Sequence, residues 1–425
     1  MLPVPAPADD LDQIEALLAD LLPLIDDAPP ARRGRPIALT AGLVWASVLL
    51  AVLHGGTSLR GVGRMAATTG ALQYPGMPVT HEGFRTRLIA LGWVPLARLF
   101  TLVTITLTAR FPGDTSLAPA FPGGVYAMDT TTLDQVAKPL RTGDGPHCEL
   151  AGRLHTLFDI RRQLVTEVIP VDLPTQSEQV AAPDLLACLP ADSLVLFDRG
   201  YTNYRRYDAL TTAGQAFITR LRANASFVSR WVLTDTPVVR DEEIWLGKYR
   251  ADRCGHPYRV ITLRVGTQTR SYLTNVLSPD VLPPIDVYRL YRRRWDIERA
   301  FKTLKRDLGL AWIWASRWDL ILVQIWATLV IVQIVASLRQ EVASRAGEPL
   351  EHVSLELLIE VLPKLAAHAQ TTGQDVLDLV VERGKAAGII RPVRRVTLDI
   401  PAQVPWQPPP DDLPTWRDPR YAGKA

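Results

Sequence analysis

The stretch Leu320–Leu338, LILVQIWATLVIVQIVASL, runs for 19 residues without a charge. A helix of that composition has to leave water, either in a bilayer, whose core takes about 20 apolar residues, or at the centre of a large protein core. Two glutamines, Gln324 and Gln333, interrupt the run, and charged residues flank it on both sides. The other strongly apolar run near the start, Leu43–Leu53, is too short to span a bilayer. The pattern therefore predicts a buried core helix and no membrane partner.

At 425 residues the chain has room for two or three domains, each able to bury its own core. The net charge is only +3, so a nucleic-acid partner has to be met by a local basic patch rather than by bulk charge. The cysteines, Cys148, Cys188 and Cys254, are sparse and form no C-x-x-C pair. Cys254 and His256 make one close pair with no second to match it, which argues against structural zinc. An odd, scattered count and an acidic start, MLPVPAPADDLDQIE, fit a cytoplasmic location with no export signal.

Residues 1–115 read as mostly helical. Within them Arg32, Arg33 and Arg35 form an RGRP segment. Such a segment is slim enough to enter an A·T-rich minor groove, and a solvated basic linker is the alternative. From Gly124 the pattern turns to short β runs: Val125–Met128, Leu154–Phe158, Leu164–Val171 and Leu194–Phe197, with a helix over 177–189 between the last two. Strands alternating with helices predict an α/β sheet. Residues 222–283 read as antiparallel strands, and after Pro283 and Pro284 one long helix is expected over 285–307. More helices fill 311–395, and a proline-rich tail over 396–425 is expected to be extended and poorly packed.

Tyr288–Arg306, YRLYRRRWDIERAFKTLKR, holds eight basic residues and two acids. Tyr291, Arg294, Glu298 and Lys305 recur at helical spacing, which puts one carboxylate inside a row of cations. Leu290, Ile297, Leu304 and Leu308 form an adjacent apolar stripe able to dock on a sheet. A surface helix laced with ion pairs would look the same. Two further acids stand at predicted strand ends: Asp129 opens Asp129-Thr130-Thr131, and Asp198 opens Asp198-Arg199-Gly200-Tyr201. Acids there point into the crevice where open α/β sheets bind ligands. His155, in a predicted strand, is read as a core residue rather than a ligand.

Tyr291-x2-Arg294-x3-Glu298-x6-Lys305 resembles the YREK signature of the IS4 family of insertion-sequence transposases, which includes the Tn5 and Tn10 enzymes. Asp129-Thr130-Thr131 and Asp198-Arg199-Gly200-Tyr201 resemble the segments bearing that family's first and second catalytic aspartates, and Tyr272–Val276 is similar as well. The resemblance covers roughly residues 120–335. It implies an α/β fold with an RNase H-like catalytic core over 120–310 and a β-rich insertion over 222–283, flanked by N-terminal and C-terminal helical regions. It further implies a DDE transposase in which Asp129, Asp198 and Glu298 hold two Mg2+ ions, with Mn2+ as a substitute. Tyr291, Arg294 and Lys305 are then expected to contact DNA near the cut, and Arg33 and Arg35 the element ends through the region 1–115. The implied partners are double-stranded DNA, both element ends and target, and a second copy of the chain in a DNA-bound homodimer. An inactive DNA-binding regulator and a metal-dependent nuclease that never rejoins ends are the competing readings.

Overall fold

The computed structural model describes residues 39–72, 74–133, 152–173, 175–248, 252–392, 400–401, 404–411 and 413. Arg32, Arg33, Arg35 and Cys148 lie outside them. Four helices come first: α1 (Ala41–Leu53), α2 (Leu59–Thr68), α3 (His81–Leu91) and α4 (Val94–Arg110). Hydroxyl side chains start three of them, with Thr40, Ser58 and Thr80 accepting bonds from the amides of Leu43, Gly61 and Gly83. α4 instead carries Pro95 in its first turn, where the missing N–H costs nothing.

The strands are β1 (Gly124–Thr132), β2 (Arg153–Asp159), β3 (Leu164–Val171), β4 (Ser193–Phe197), β5 (Ala216–Arg220), β6 (Phe227–Asp235), β7 (Val239–Leu246), β8 (Pro257–Val265) and β9 (Gln268–Thr274). They form one sheet in the order β3-β2-β1-β4-β5-β9-β8-β7-β6. β1 runs parallel to β4 and β4 to β5, whereas β2 is antiparallel to both of its neighbours. Two helices belong to this half, α5 (Glu178–Ala187) and α6 (Tyr204–Thr212). The β-rich segment predicted over 222–283 is therefore no detached module. β9 pairs antiparallel with β5, and the inserted strands prolong the sheet.

The predicted single helix over 285–307 is broken. α7 (Pro284–Arg293) and α8 (Trp295–Lys302) meet at Arg294, and a π-helical turn, Thr303–Asp307, follows. Its apolar stripe behaves as expected: Leu290, Ile297, Leu304 and Leu308 are all buried. α8 lies against β1.

The uncharged run falls inside α9 (Trp318–Ala346), and the protein itself encloses it. α9 packs against α1, α4 and β3, and on its other side against α10 (Leu355–Thr372) and α11 (Val376–Gly384). Its glutamines have protein partners. Gln324 accepts from the Trp314 amide at 3.0 Å and donates to the Trp312 carbonyl at 2.8 Å. Gln333 donates to Thr104 Oγ1 and to the Val165 carbonyl, at 2.7 and 2.6 Å, joining an N-terminal helix to the sheet. Residues from α1–α4, the sheet, α7–α9 and α10–α11 share one continuous apolar core.

Within the tail, the described residues 404–411 form no helix or strand, and part of them is docked. Around residues 404–407, the Gln407 amide bonds the Leu233 carbonyl at 2.9 Å and Thr234 Oγ1 bonds the Pro405 carbonyl at 2.8 Å. This covers the exposed edge of β6, an edge that would otherwise offer unpaired backbone groups to another chain.

Candidate active site

The register of β1 and β4 sets the site. Their parallel ladder ends at the pair Met128 and Phe197, so Asp129 and Asp198 are the next residue on each strand and stand side by side. The expectation that β1 stops at Met128 is corrected here. On its other edge β1 continues to Thr132 by pairing with β2, so Asp129 is held inside a strand rather than in a loop. Asp198 does end its strand, and its Oδ1 accepts from the Gly200 amide at 2.6 Å, closing the turn.

The two motifs are joined by one hydroxyl. Thr130 Oγ1 is hydrogen-bonded to His155 Nδ1 at 2.8 Å and to the Tyr201 hydroxyl at 2.7 Å. The residue after the first aspartate is thus tied to the fourth residue of the second motif, and both to β2. His155 and Tyr201 are fully buried. Burial lowers the imidazole's pKa and raises that of the phenol, so both stay neutral in this chain of bonds. His155 is a core residue, as expected, and it supports the site from below.

Glu298 approaches from α8. A cavity of about 440 Å³ is lined by Asp129, Asp198 and Glu298 together with Arg294, Lys302 and Lys305. Arg294 is only 8% exposed and lies between the acids. Its Nη1 donates to Asp129 Oδ2 at 2.7 Å and its Nη2 to Glu298 Oε1 at 2.5 Å. Burial opposes its charge, but Asp129, Tyr291 and Glu298 outweigh that and raise its pKa. Asp129 is pushed up to about 6, first by burial and further by the charges of Asp198 and Glu298, against the opposing pull of Arg294 and the Thr130 amide. The three carboxylates therefore feel one another.

Tyr291 is placed beneath this surface rather than on it. It is 6% exposed, packs on Tyr272 with ring centroids 5.2 Å apart, and stands under the Arg294 guanidinium. The outward side of the basic segment is ion-paired, as the plain surface-helix reading had it. Arg293 bonds Asp296 at 2.7 Å, and Lys302 and Arg306 both reach Glu356 on α10. Lys302 also lines the cavity, so the ion-paired side and the cavity side of the segment meet at that residue. The sequence did not single out Lys302, or Glu178 at the start of α5. A methyl at position 200 would come within 3.0 Å of both Glu178 Oε2 and Asp198 Oδ1, so Gly200 leaves room for a fourth acid beside the second aspartate.

Oxygen-only donors suit a hard divalent cation, and mutual repulsion among three acids is what such an ion relieves. Among the described residues no group of three acids, histidines or cysteines is yet close enough to hold one ion together. Arg294 occupies the space between two of the three.

Residues 123–334 match the protein family described as Transposase DDE domain. Among solved structures, the chain is similar to the piggyBac transposase in a cryo-EM synaptic complex with hairpin DNA. That likeness has a TM-score of 0.41 and 10% sequence identity, over 90% of this chain and 84% of that one. No curated protein matches the sequence. The segment that carries Asp129, Asp198 and Glu298 belongs to the transposase DDE domain family.

Proposed function

We propose that this chain is a transposase of the IS4 type, which binds the terminal repeats of a mobile element in the cytoplasm, cuts them free and joins them to a target. The observation that carries the reading is the register of β1 and β4. It sets Asp129 beside Asp198, across one cavity from Glu298, within the segment matched to DDE domains. The YREK spacing from Tyr291 to Lys305 supports the narrower family. The sheet order β3-β2-β1-β4-β5, with the two aspartate strands adjacent, supports an RNase H-like core.

In this reading Asp129, Asp198 and Glu298 would hold two Mg2+ ions, or Mn2+ in their place. Bound there, such ions supply charge that activates the attacking oxygen and steadies the leaving one. The protein's own groups do the rest. Lys305, and Lys302 in exchange for its pairing with Glu356, would offer cations to the phosphates entering the cavity. Tyr291, from below, fixes the guanidinium of Arg294 against the acids. Thr130, with His155 and Tyr201, keeps the two aspartate strands in register. The helices before residue 115, with Arg33 and Arg35 ahead of them, would grip the element ends. Arg60 and Arg64, exposed on α2, would add to that grip. Joining two ends calls for a homodimer on DNA.

The test is a supercoiled plasmid carrying the element ends, incubated with the full chain and Mg2+. Joined products are expected. Cut but never joined DNA would indicate a nuclease, and binding without cutting an inactive regulator.

A further inference from the structure

Arg294 is bonded to the very acids that the proposed function assigns to metal. It is buried at the break between α7 and α8, donates to Asp129 at 2.7 Å and to Glu298 at 2.5 Å, and leaves its Nε without a partner. A guanidinium so placed supplies positive charge to two carboxylates that a divalent ion must also use. The two cations cannot occupy the same oxygens, and at this range they repel each other.

We propose that Arg294 is a built-in counter-ion that competes with the divalent metal, so that loading the site requires its guanidinium to leave at least one of Asp129 and Glu298. The inference rests on the reading of Asp129, Asp198 and Glu298 as metal ligands. Three features of the fold bear on the exchange. The Arg294 backbone is helical, at φ −53° and ψ −31°, and its amide is bonded to the Tyr291 carbonyl at 3.2 Å, so the exchange is a movement of the side chain alone. Its Glu298 bond is the more exposed of the two, since the Glu298 side chain is 34% exposed against 14% for Asp129. Tyr291 lies under the guanidinium while it is bonded to the acids, so a release that keeps this contact moves the guanidinium only a short way. A guanidinium displaced toward the cavity meets the phosphates entering there, so metal entry and the phosphate contact become a single event.

The consequence runs against the usual expectation for a site residue. Removing Arg294 should tighten metal binding while slowing the reaction. The experiment is Mn2+ titration of the full chain without DNA, with free Mn2+ followed by electron paramagnetic resonance, for wild type, Arg294→Gln, Arg294→Lys, Asp129→Ala and Glu298→Ala. Arg294→Gln should bind Mn2+ about 10-fold more tightly than wild type, the scale set by one charge-assisted pair. Arg294→Lys should fall between them, because an ammonium cannot span both acids in a fork. It also carries the test if the glutamine variant does not fold. Unchanged or weaker Mn2+ binding in both Arg294 variants, with binding lost in the two alanine variants, would overturn the competition and leave the metal-ligand reading standing. Mn2+ binding unaffected by Asp129→Ala and Glu298→Ala would bring down that reading and this inference with it.

Discussion

Asp129 carries the cost of assembling three carboxylates round one cavity. Its pKa is pushed up to about 6, from an ordinary value near 3.9, chiefly by burial. The folded state thus holds this proton more tightly than the unfolded state does. Below pH ~4 the group is protonated in both states and costs nothing. As pH rises from ~4 through ~6 the unfolded chain loses the proton first, and stability falls by up to about 3 kcal/mol. Without divalent ions, Asp129→Asn should therefore melt higher than wild type at pH 7.5, and the gap should close near pH 4.5. Melting in EDTA across that range is the check, and a gap independent of pH would contradict the assignment. Asp129 and Asp198 were legible as candidates in the sequence because each follows an apolar β run, and Glu298 because it recurs with Arg294 and Lys305 at helical spacing. The bonds among Thr130, His155 and Tyr201 were not, since they depend on how β1 pairs with β2. Nor was Glu178, which meets Asp198 only because α5 begins beside the Asp198 turn.

At the scale of elements, the basic segment shows what periodicity does and does not carry. Its apolar stripe docks as the spacing predicts, and Arg294, Glu298 and Lys305 do share one cavity. The break at Arg294 was not visible, because no proline or glycine marks it, and neither was the packing of Tyr291 on Tyr272, which depends on where β9 runs. The inner and outer cations should separate cleanly in function. Arg294 touches the acids, whereas the Arg299 side chain is 76% exposed and Arg306 is held by Asp307 and Glu356 on the outer side. Arg294→Ala should slow single-turnover cleavage of end DNA by about 10- to 100-fold, the rate equivalent of one charge-assisted contact worth about 1.5–3 kcal/mol. Arg299→Ala and Arg306→Ala should remain near the wild-type rate. Equal, small effects from all three would mean that Arg294 serves the fold and takes no part in cleavage. The docking of residues 404–407 on β6 was likewise hidden, since a proline-rich tail carries no periodic signal for its acceptor strand.

At the scale of the whole molecule, α9 packs on helices from before and after the sheet as well as on β3, and its 19 uncharged residues marked it in the sequence as a buried core helix. The sequence did not show that α1–α4 close over the same helix. The strand pattern begins only at Gly124, which makes residues 1–115 look removable. In the structure α1 and α4 bury the near side of α9, and Gln333 ties α4 to the Val165 carbonyl, so removing them would strip one face of the common core. Shared packing of this kind also carries Glu298 to the sheet: α8 rests on β1, whose next rung bears Asp129. The account therefore turns on whether three acids, far apart in sequence, act on DNA as one centre. Asp129→Ala, Asp198→Ala and Glu298→Ala should each be measured for Mg2+-dependent cleavage of DNA carrying the element ends, and for binding to the same DNA. Cleavage lost in all three with binding retained is the predicted result, and cleavage near the wild-type rate in any one of them would contradict it.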